Sequence, residues 1–360
     1  MKIRDRYIAK TLLTSTLLVL VVWLSIYSFF NFLAELNDVG KGGYTILAAF
    51  KYIVLQFPEV AYNQALPVIL LGCILGMGHL ATTSQLLIFR VSGASILRIT
   101  AVTLKNAFIF VFLLIIIGEF LAPISSNFAK NSQAKDMGNV SMSINQKGFW
   151  IRDGDNFINV ERNIDGKVFS GVTIIEVNSS NTIQRVIKSE NAIFDGDSIN
   201  MNSSEIFSID NISSFDNISL KERNSYNKIV SFDQDLIDSL EKEPKNLSTL
   251  TLIKQIQFLS DNKLRSEVFE AELYKRLIQP FTLLAMILLA MLFIFGSSRE
   301  TTLGRKIFFG VALALSFEML SRVVSAMAFS FSFDPFLSAI LPSFILILVS
   351  MILLIRKSIS

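Results

Sequence analysis

"GFWIRDGDNFINVERNIDGKVFSGVTIIEV", residues 148–177, decides the fold class, because it is a β sequence set between membrane sequences. Short runs of β-branched and aromatic residues are broken at Asp153-Gly154 and Asp165-Gly166, and a third Asp-Gly follows at Asp195-Gly196. Asp-Gly between apolar runs is a hairpin signal, so the stretch predicts an antiparallel sandwich or jellyroll-like sheet. The surrounding region, about 123–270, is polar and rich in Asn, Ser and Asp. In such a composition Asn-x-Ser triplets such as Asn211-Ile212-Ser213 are expected by chance rather than as glycosylation sites. From Ser248 the pattern turns helical, "STLTLIKQIQFLSDNKLRSEVFEAELYKRLIQP", with Glu267, Glu270, Glu272, Lys275 and Arg276 on a charged face.

On either side of this region lie runs of another kind. Six are long enough to cross a bilayer, which takes about 20 apolar residues. They cover about 11–33, 53–78, 101–122, 277–296, 303–327 and 336–355. Half of the 360 residues are hydrophobic and mean hydropathy is +0.51, too apolar for an ordinary soluble domain. The first run is too long for a cleaved signal peptide and lacks a small-residue cleavage site. The expected fold is therefore an α-helical polytopic membrane protein, three transmembrane helices on each side of an inserted all-β domain. Residues 1–122 hold spans one to three, 123–270 the β domain with a helical return segment, and 271–360 spans four to six.

Lys and Arg in the short loops set orientation. With the N-terminus inside, twelve fall on the cytoplasmic side (Lys2, Arg4, Arg6, Lys10, Arg90, Arg98, Lys105, Arg299, Arg305, Lys306, Arg356 and Lys357). The short outer loops hold only Lys41 and Lys51. Both termini are expected in the cytoplasm and the β domain outside. Net charge is only +3, so charge alone points to no polyanion. One cysteine, Cys73, cannot make an internal disulfide, and one histidine, His79, makes no histidine metal site. No G-x-x-x-x-G-K-[ST] loop is present, so any ATP is expected to be hydrolysed by another subunit. Gly72, Gly76 and Gly78 allow close helix packing, and Pro58, Pro67 and Pro280 can kink their spans.

Several stretches, in order along the chain, carry a resemblance. They are "RDRYIAKT" (4–11), "VGKGGY" (39–44), "LLGCILGMGHLATTSQLLIFRVSGAS" (70–95), "IGEFLAP" (117–123), "GFWIRDGDNFINVER" (148–162) and "LIQPFTLLAMILLAMLFIFG" (277–296). With this topology the chain resembles the LptF/LptG permeases of lipopolysaccharide export, and more the LptG branch. The resemblance implies a six-helix half-transporter with a periplasmic jellyroll. It would pair with the homologous permease LptF above a dimeric ATPase, LptB. The chain itself binds no cofactor; ATP and Mg belong to the ATPase. Lipopolysaccharide would leave through a periplasmic bridge of LptC and LptA.

The resemblance also assigns sites. The semi-polar segment at about 81–97 corresponds to a coupling helix that docks on the ATPase, with Ser84, Gln85, Leu86, Phe89, Arg90 and Gly93 at the contact. A short amphipathic helix can present Leu86, Phe89 and Arg90 to such a groove. Gln85 stands where the family often has an acid. Basic residues of the family that meet lipid A phosphates align here with Asn31, Asn37 and Asp38, which are not basic. Lys41 is then the expected phosphate contact, followed by Lys51, Lys130 and Lys135. Within the spans, ionisable residues are costly and mark cavities or partners. Glu318 and Arg322, four apart, are expected to pair and to stand at a cavity rim; Glu119 is expected to be structural. The alternatives are the LptF-type role and a non-transporting, membrane-tethered periplasmic scaffold.

Overall fold

The structure is a computed structural model of the 360-residue chain. It describes residues 3–137, 148–164, 167–178, 182–209, 218–233, 236–237, 244–296, 303–331 and 334–359. Two compact units emerge. One comprises Met1–Gly40, Tyr44–Ala129 and Glu270–Ser360, the other Lys41–Gly43 and Lys130–Phe269.

The first unit is helical. It contains α1 (Ile3–Glu35), α2 (Ile46–Leu55), α3 (Phe57–Asn63), α4 (Ala65–Thr82), α5 (Gln85–Val91) and α6 (Ile96–Ile116). A π-helical turn, Ile117–Leu121, joins α6 to α7 (Ala122–Asp136), which from Lys130 belongs to the second unit. After the β unit come α9 (Glu267–Gly296), α10 (Leu303–Phe331) and α11 (Pro335–Ile359), α8 (Thr249–Asp261) being the return helix. Among the described residues six helices are long and apolar enough to cross a membrane. The second differs from its expected span, 53–78. That run is broken at Gln56 and Gln64, and only α4 is a candidate crossing. Pro58 and Pro67 are the physical reason: each fits the first turn of a new helix and would break the interior of an old one.

α4 is the centre of this unit. In its most apolar window 72% is buried, against 6% for α1, so α1 turns most of its surface to whatever surrounds the bundle. Small residues let α1 and α4 approach. Ser15 Oγ donates to the Gly72 carbonyl at 2.9 Å, and a Cβ on Gly72 would lie 2.6 Å from Thr16 Cα. Buried polar pairs fasten other helices. Thr282 and Ser343 hydroxyls meet at 2.6 Å between α9 and α11, and Asn106 Nδ2 donates to the Asp5 carbonyl at 3.2 Å between α6 and α1.

The second unit holds one six-stranded antiparallel sheet. Its strands are β1 (Phe149–Asp153), β2 (Asn156–Asn163), β3 (Val168–Val177), β4 (Ile183–Phe194), β5 (Ser198–Ile209) and β6 (Ile218–Ile229), each pairing with the next. This is the inserted antiparallel β domain expected from the sequence, its described strands running as an up-and-down meander in which each pairs with the next. Gly154 and Gly196 take positive φ (59° and 87°) in two of the turns between strands, as the Asp-Gly signals require. The Asp165-Gly166 turn and the Asn211 triplet lie outside the described residues.

Two layers arise because the sheet coils over itself. By register Glu176 lies in the row of Asn156 and Arg185, while Lys228 sits near the far end of β6, opposite Ile199. Yet Lys228 Nζ lies 2.7 Å from Glu176 Oε1 and 3.0 Å from Asn156 Oδ1. Ser231 likewise reaches back to the Asp153 carboxylate through its N–H at 3.0 Å and its hydroxyl. β6 therefore crosses over β2 and β3, the usual twist of strands taken to closure. Between the layers runs an aromatic spine, Phe149, Phe169, Phe194, Phe232 and Phe258, with centroids 5.8–6.3 Å apart. Phe258 belongs to α8, which Ser248 caps by accepting from Thr251 N–H at 3.2 Å. Asn262 at the other end of α8 accepts from Gly154 N–H at 2.8 Å and so holds the β1–β2 turn.

Candidate functional site: a short outward helix and a charged rim

The segment between α4 and α6 folds as one seven-residue helix, α5. Ser84 enters it in the left-handed conformation (φ 59°), and Gly93 leaves it with φ 86°, its N–H donating to the Arg90 carbonyl at 2.9 Å. A side chain at position 93 would be strained, which gives Gly93 a structural reason in the turn. The helical period then divides the residues between two faces. Leu86 is 4% exposed and belongs to the core of the helical unit, with Phe89 packed against the same core. Leu87, Ile88 and Val91 point outward, at 55%, 64% and 82% exposed, beside exposed Ser84 and Arg90. The expectation that Leu86 is presented to a partner is thus corrected: burying the inner face of so short a helix is what anchors it. The outward face is apolar through residues that the sequence reading passed over, although their i, i+1, i+4 spacing was there to be read. Gln85 is half-buried, and its Oε1 has no hydrogen-bond partner among the described residues.

The charged candidates are distributed over both units. In α10 Arg322 Nη2 lies 2.6 Å from Glu318 Oε1, the pairing their spacing predicts; Arg322 itself is 76% exposed. In the same unit Lys51 Nζ sits over the Phe128 ring at 5.3 Å from its centroid. Lys41, Lys130 and Lys135 are exposed and belong to the β unit, where Gly43 N–H donates to the Asp136 carbonyl at 2.7 Å and ties the loop of Lys41 to the end of α7. Of the non-basic positions, Asn31 turns its amide back to the Tyr27 carbonyl at 2.9 Å, and Asn37 and Asp38 follow α1 in a turn.

One cluster was not foreseen as such. Arg276 of α9, 9% exposed, lies 3.9 Å from Glu119 of the π turn and 3.4 Å from Glu272. Gln279 Nε2 donates to the Tyr62 carbonyl at 3.4 Å, and the Tyr62 ring packs on Gly118, where no Cβ fits. A buried arginine between two carboxylates holds the π turn, α3 and α9 together, which makes Glu119 structural. The signal was present as an isolated acid in span three and an isolated base before span four, but nothing in the sequence joins residues 119 and 276. Among the described residues no group of three or more His, Cys, Asp or Glu side chains is placed to hold a metal.

This arrangement, an inserted β unit between two sets of three spans with an outward amphipathic helix after the second, is matched end to end by a known sequence pattern. The family described as "Lipopolysaccharide export system permease LptF/LptG" matches residues 6–356. The chain belongs to this family. It is 28% identical over 354 residues to the lipopolysaccharide export system permease protein LptG of Escherichia coli strain K12, covering 98% of each chain. It is 26% identical over 358 residues to LptG of Haemophilus influenzae, again over 98% of each. Like the family, it is a lipopolysaccharide-export permease, and its six apolar helices make it a multi-pass inner-membrane protein.

Proposed function

We propose that the chain is the LptG-type subunit of a lipopolysaccharide exporter. The match from residue 6 to residue 356, with LptG proteins covered over 98% of their length, is the observation that carries this reading. Both termini lie in the cytoplasm and the β unit in the periplasm, in keeping with the Lys and Arg count. Paired with the homologous permease LptF, the spans take lipopolysaccharide from the outer leaflet of the inner membrane into a shared cavity. The chain is not itself catalytic. ATP and Mg are used by the LptB dimer, and α5 transmits its motion by seating Leu87, Ile88 and Val91, flanked by Gln85 and Arg90, in a groove of that ATPase. Lys41 and Arg322, helped by Lys51, Lys130 and Lys135, meet the lipid A phosphates through charge-assisted hydrogen bonds, with Glu318 orienting Arg322. The lipid then passes to the β unit, whose strand edges hand it to the LptC–LptA bridge by edge pairing.

Release of lipopolysaccharide from proteoliposomes tests this. Loss of either cation is expected to slow release by about tenfold, the value of roughly 1.4 kcal/mol of lost charge-assisted bonding, and Lys41→Glu with Arg322→Glu by more than either alone, while the complex assembles and ATP hydrolysis persists. The exchange Glu318→Arg with Arg322→Glu separates two roles. If it restores release, Arg322 serves only its partner, and the phosphate site reduces to the lysines. Full release by the Lys41→Glu, Arg322→Glu protein would remove both residues from the site.

A further inference from the structure

We infer that the Glu119–Arg276 ion pair is a releasable latch between the hinges of two helices, α7 and α9, and that it opens during export. These are the helices through which the chain enters and leaves the second unit, α7 from Lys130 and α9 up to Phe269. Each is weakened by a proline at the level of the pair. Pro123, in the first turn of α7, has no N–H to give to the Glu119 carbonyl four residues back. The chain accommodates it with the π turn, where Ala122 N–H donates to the Ile117 carbonyl, five residues back. Pro280, inside α9, likewise has no N–H for the Arg276 carbonyl. The ion pair therefore joins the two residues whose carbonyls a proline deprives of an α-helical donor. Hinge and charge coincide in both helices, and all of these residues lie in the first unit.

The polar contacts at this level are loose. Glu119 lies 3.9 Å from Arg276, Glu272 3.4 Å from it, and Gln279 3.4 Å from the Tyr62 carbonyl. Elsewhere in the chain Arg322–Glu318 and Lys228–Glu176 close to 2.6 and 2.7 Å. Opening also leaves no buried cation alone. Arg276 is 9% exposed, and so buried a guanidinium is costly to leave unpaired. It keeps Glu272, one turn away on its own helix, when Glu119 departs. A latch that opens and recloses needs that second acceptor. The Tyr62 ring seated on Gly118 fixes the closed position, since no Cβ fits between them.

Electron paramagnetic resonance on the assembled complex in proteoliposomes tests this. Spin labels go on Phe120→Cys and Lys275→Cys, both exposed positions beside the pair, in a Cys73→Ala background. With the latch intact, one short distance is expected without ATP and a second, longer one during turnover. Glu119→Gln should raise the long-distance population about two- to fivefold without ATP, the worth of a weak ion pair. A distance that turnover leaves unchanged, or that Glu119→Gln leaves unchanged, makes the pair a static clamp and overturns the inference. A second arm locks the latch. Glu119→Cys with Arg276→Cys, joined by a short reducible thiol cross-linker, should stop lipopolysaccharide release, and reductant should restore it. Release that continues in the cross-linked complex overturns the inference as well. The release arm rests on the exporter reading, whereas the Glu119→Gln distance needs neither ATP nor lipopolysaccharide. A wild-type complex that releases no lipopolysaccharide counts against that reading and leaves the distance measurement to decide the latch.

Discussion

At Gly72 a Cβ would sit 2.6 Å from Thr16 Cα, and backbone cannot yield as a side-chain tip can. Gly72→Val is therefore expected to cost about 1–3 kcal/mol by overpacking. It should appear as a lowered unfolding temperature in detergent, with Gly304→Ala, whose Cβ would meet nothing within 4 Å, as the unaffected control. The glycine spacing that makes this contact was legible; its partner on α1 was not. Glu176 gives the second residue-scale prediction. Burial alone would push its carboxyl up, but hydrogen bonds from Lys228 and Tyr226 and the charges of Lys228 and Arg185 outweigh that and hold it below the ordinary 4.5. Tyr226, pushed up to about 12 by burial and by its bond to Glu176, remains a donor at neutral pH. Because the folded pKa is the lower one, the stabilisation from Glu176 is complete above the ordinary carboxylate range. It is lost as pH falls through the depressed value. Amide protection factors in β3 and β6, corrected for the intrinsic pH dependence of exchange, should fall over that acid range in the wild type. In Glu176→Gln they should already be lower at pH 7 and change less with acid.

Elements show how far local pattern reaches. The six apolar helices were readable because a helix that spans lipid satisfies its own backbone and declares itself by length and hydropathy alone. α5 was readable as an amphipathic segment, but which face meets the bundle depends on α4 and α6, so Leu86 was assigned outward and proved to be core. The consequence is a contrast between two faces. Leu87→Asp with Ile88→Asp should abolish copurification of the ATPase and leave the bundle's unfolding temperature unchanged. Leu86→Asp should lower that temperature, because an unpaired carboxylate would enter the core. Phe89→Asp with Arg90→Glu should resemble the first in ATPase loss and the second in part, since Phe89 packs on that core. Retained ATPase in the Leu87, Ile88 variant would exclude α5 as the docking element.

At the scale of the whole molecule, the proposed orientation rests on twelve cations in the loops of one side against two on the other. In a Cys73→Ala background, a cysteine at Asn178, in the β3–β4 connection, should react with an impermeant thiol reagent added from the periplasmic side. One at exposed Ser92, after α5, should not. The reverse labelling would invert the transport direction. The sequence by itself determined the number of spans, the inserted β unit, its Asp-Gly turns and the family, because each rests on hydropathy, turn chemistry or motif order along the chain. Only the tertiary structure decided that the sheet is a meander coiled until Lys228 meets Glu176, that Arg276 binds Glu119 across 157 residues of chain, and that Leu86 faces inward. Those outcomes depend on how far strands twist and which helix faces meet, and neither quantity is encoded in the spacing of residues within one segment.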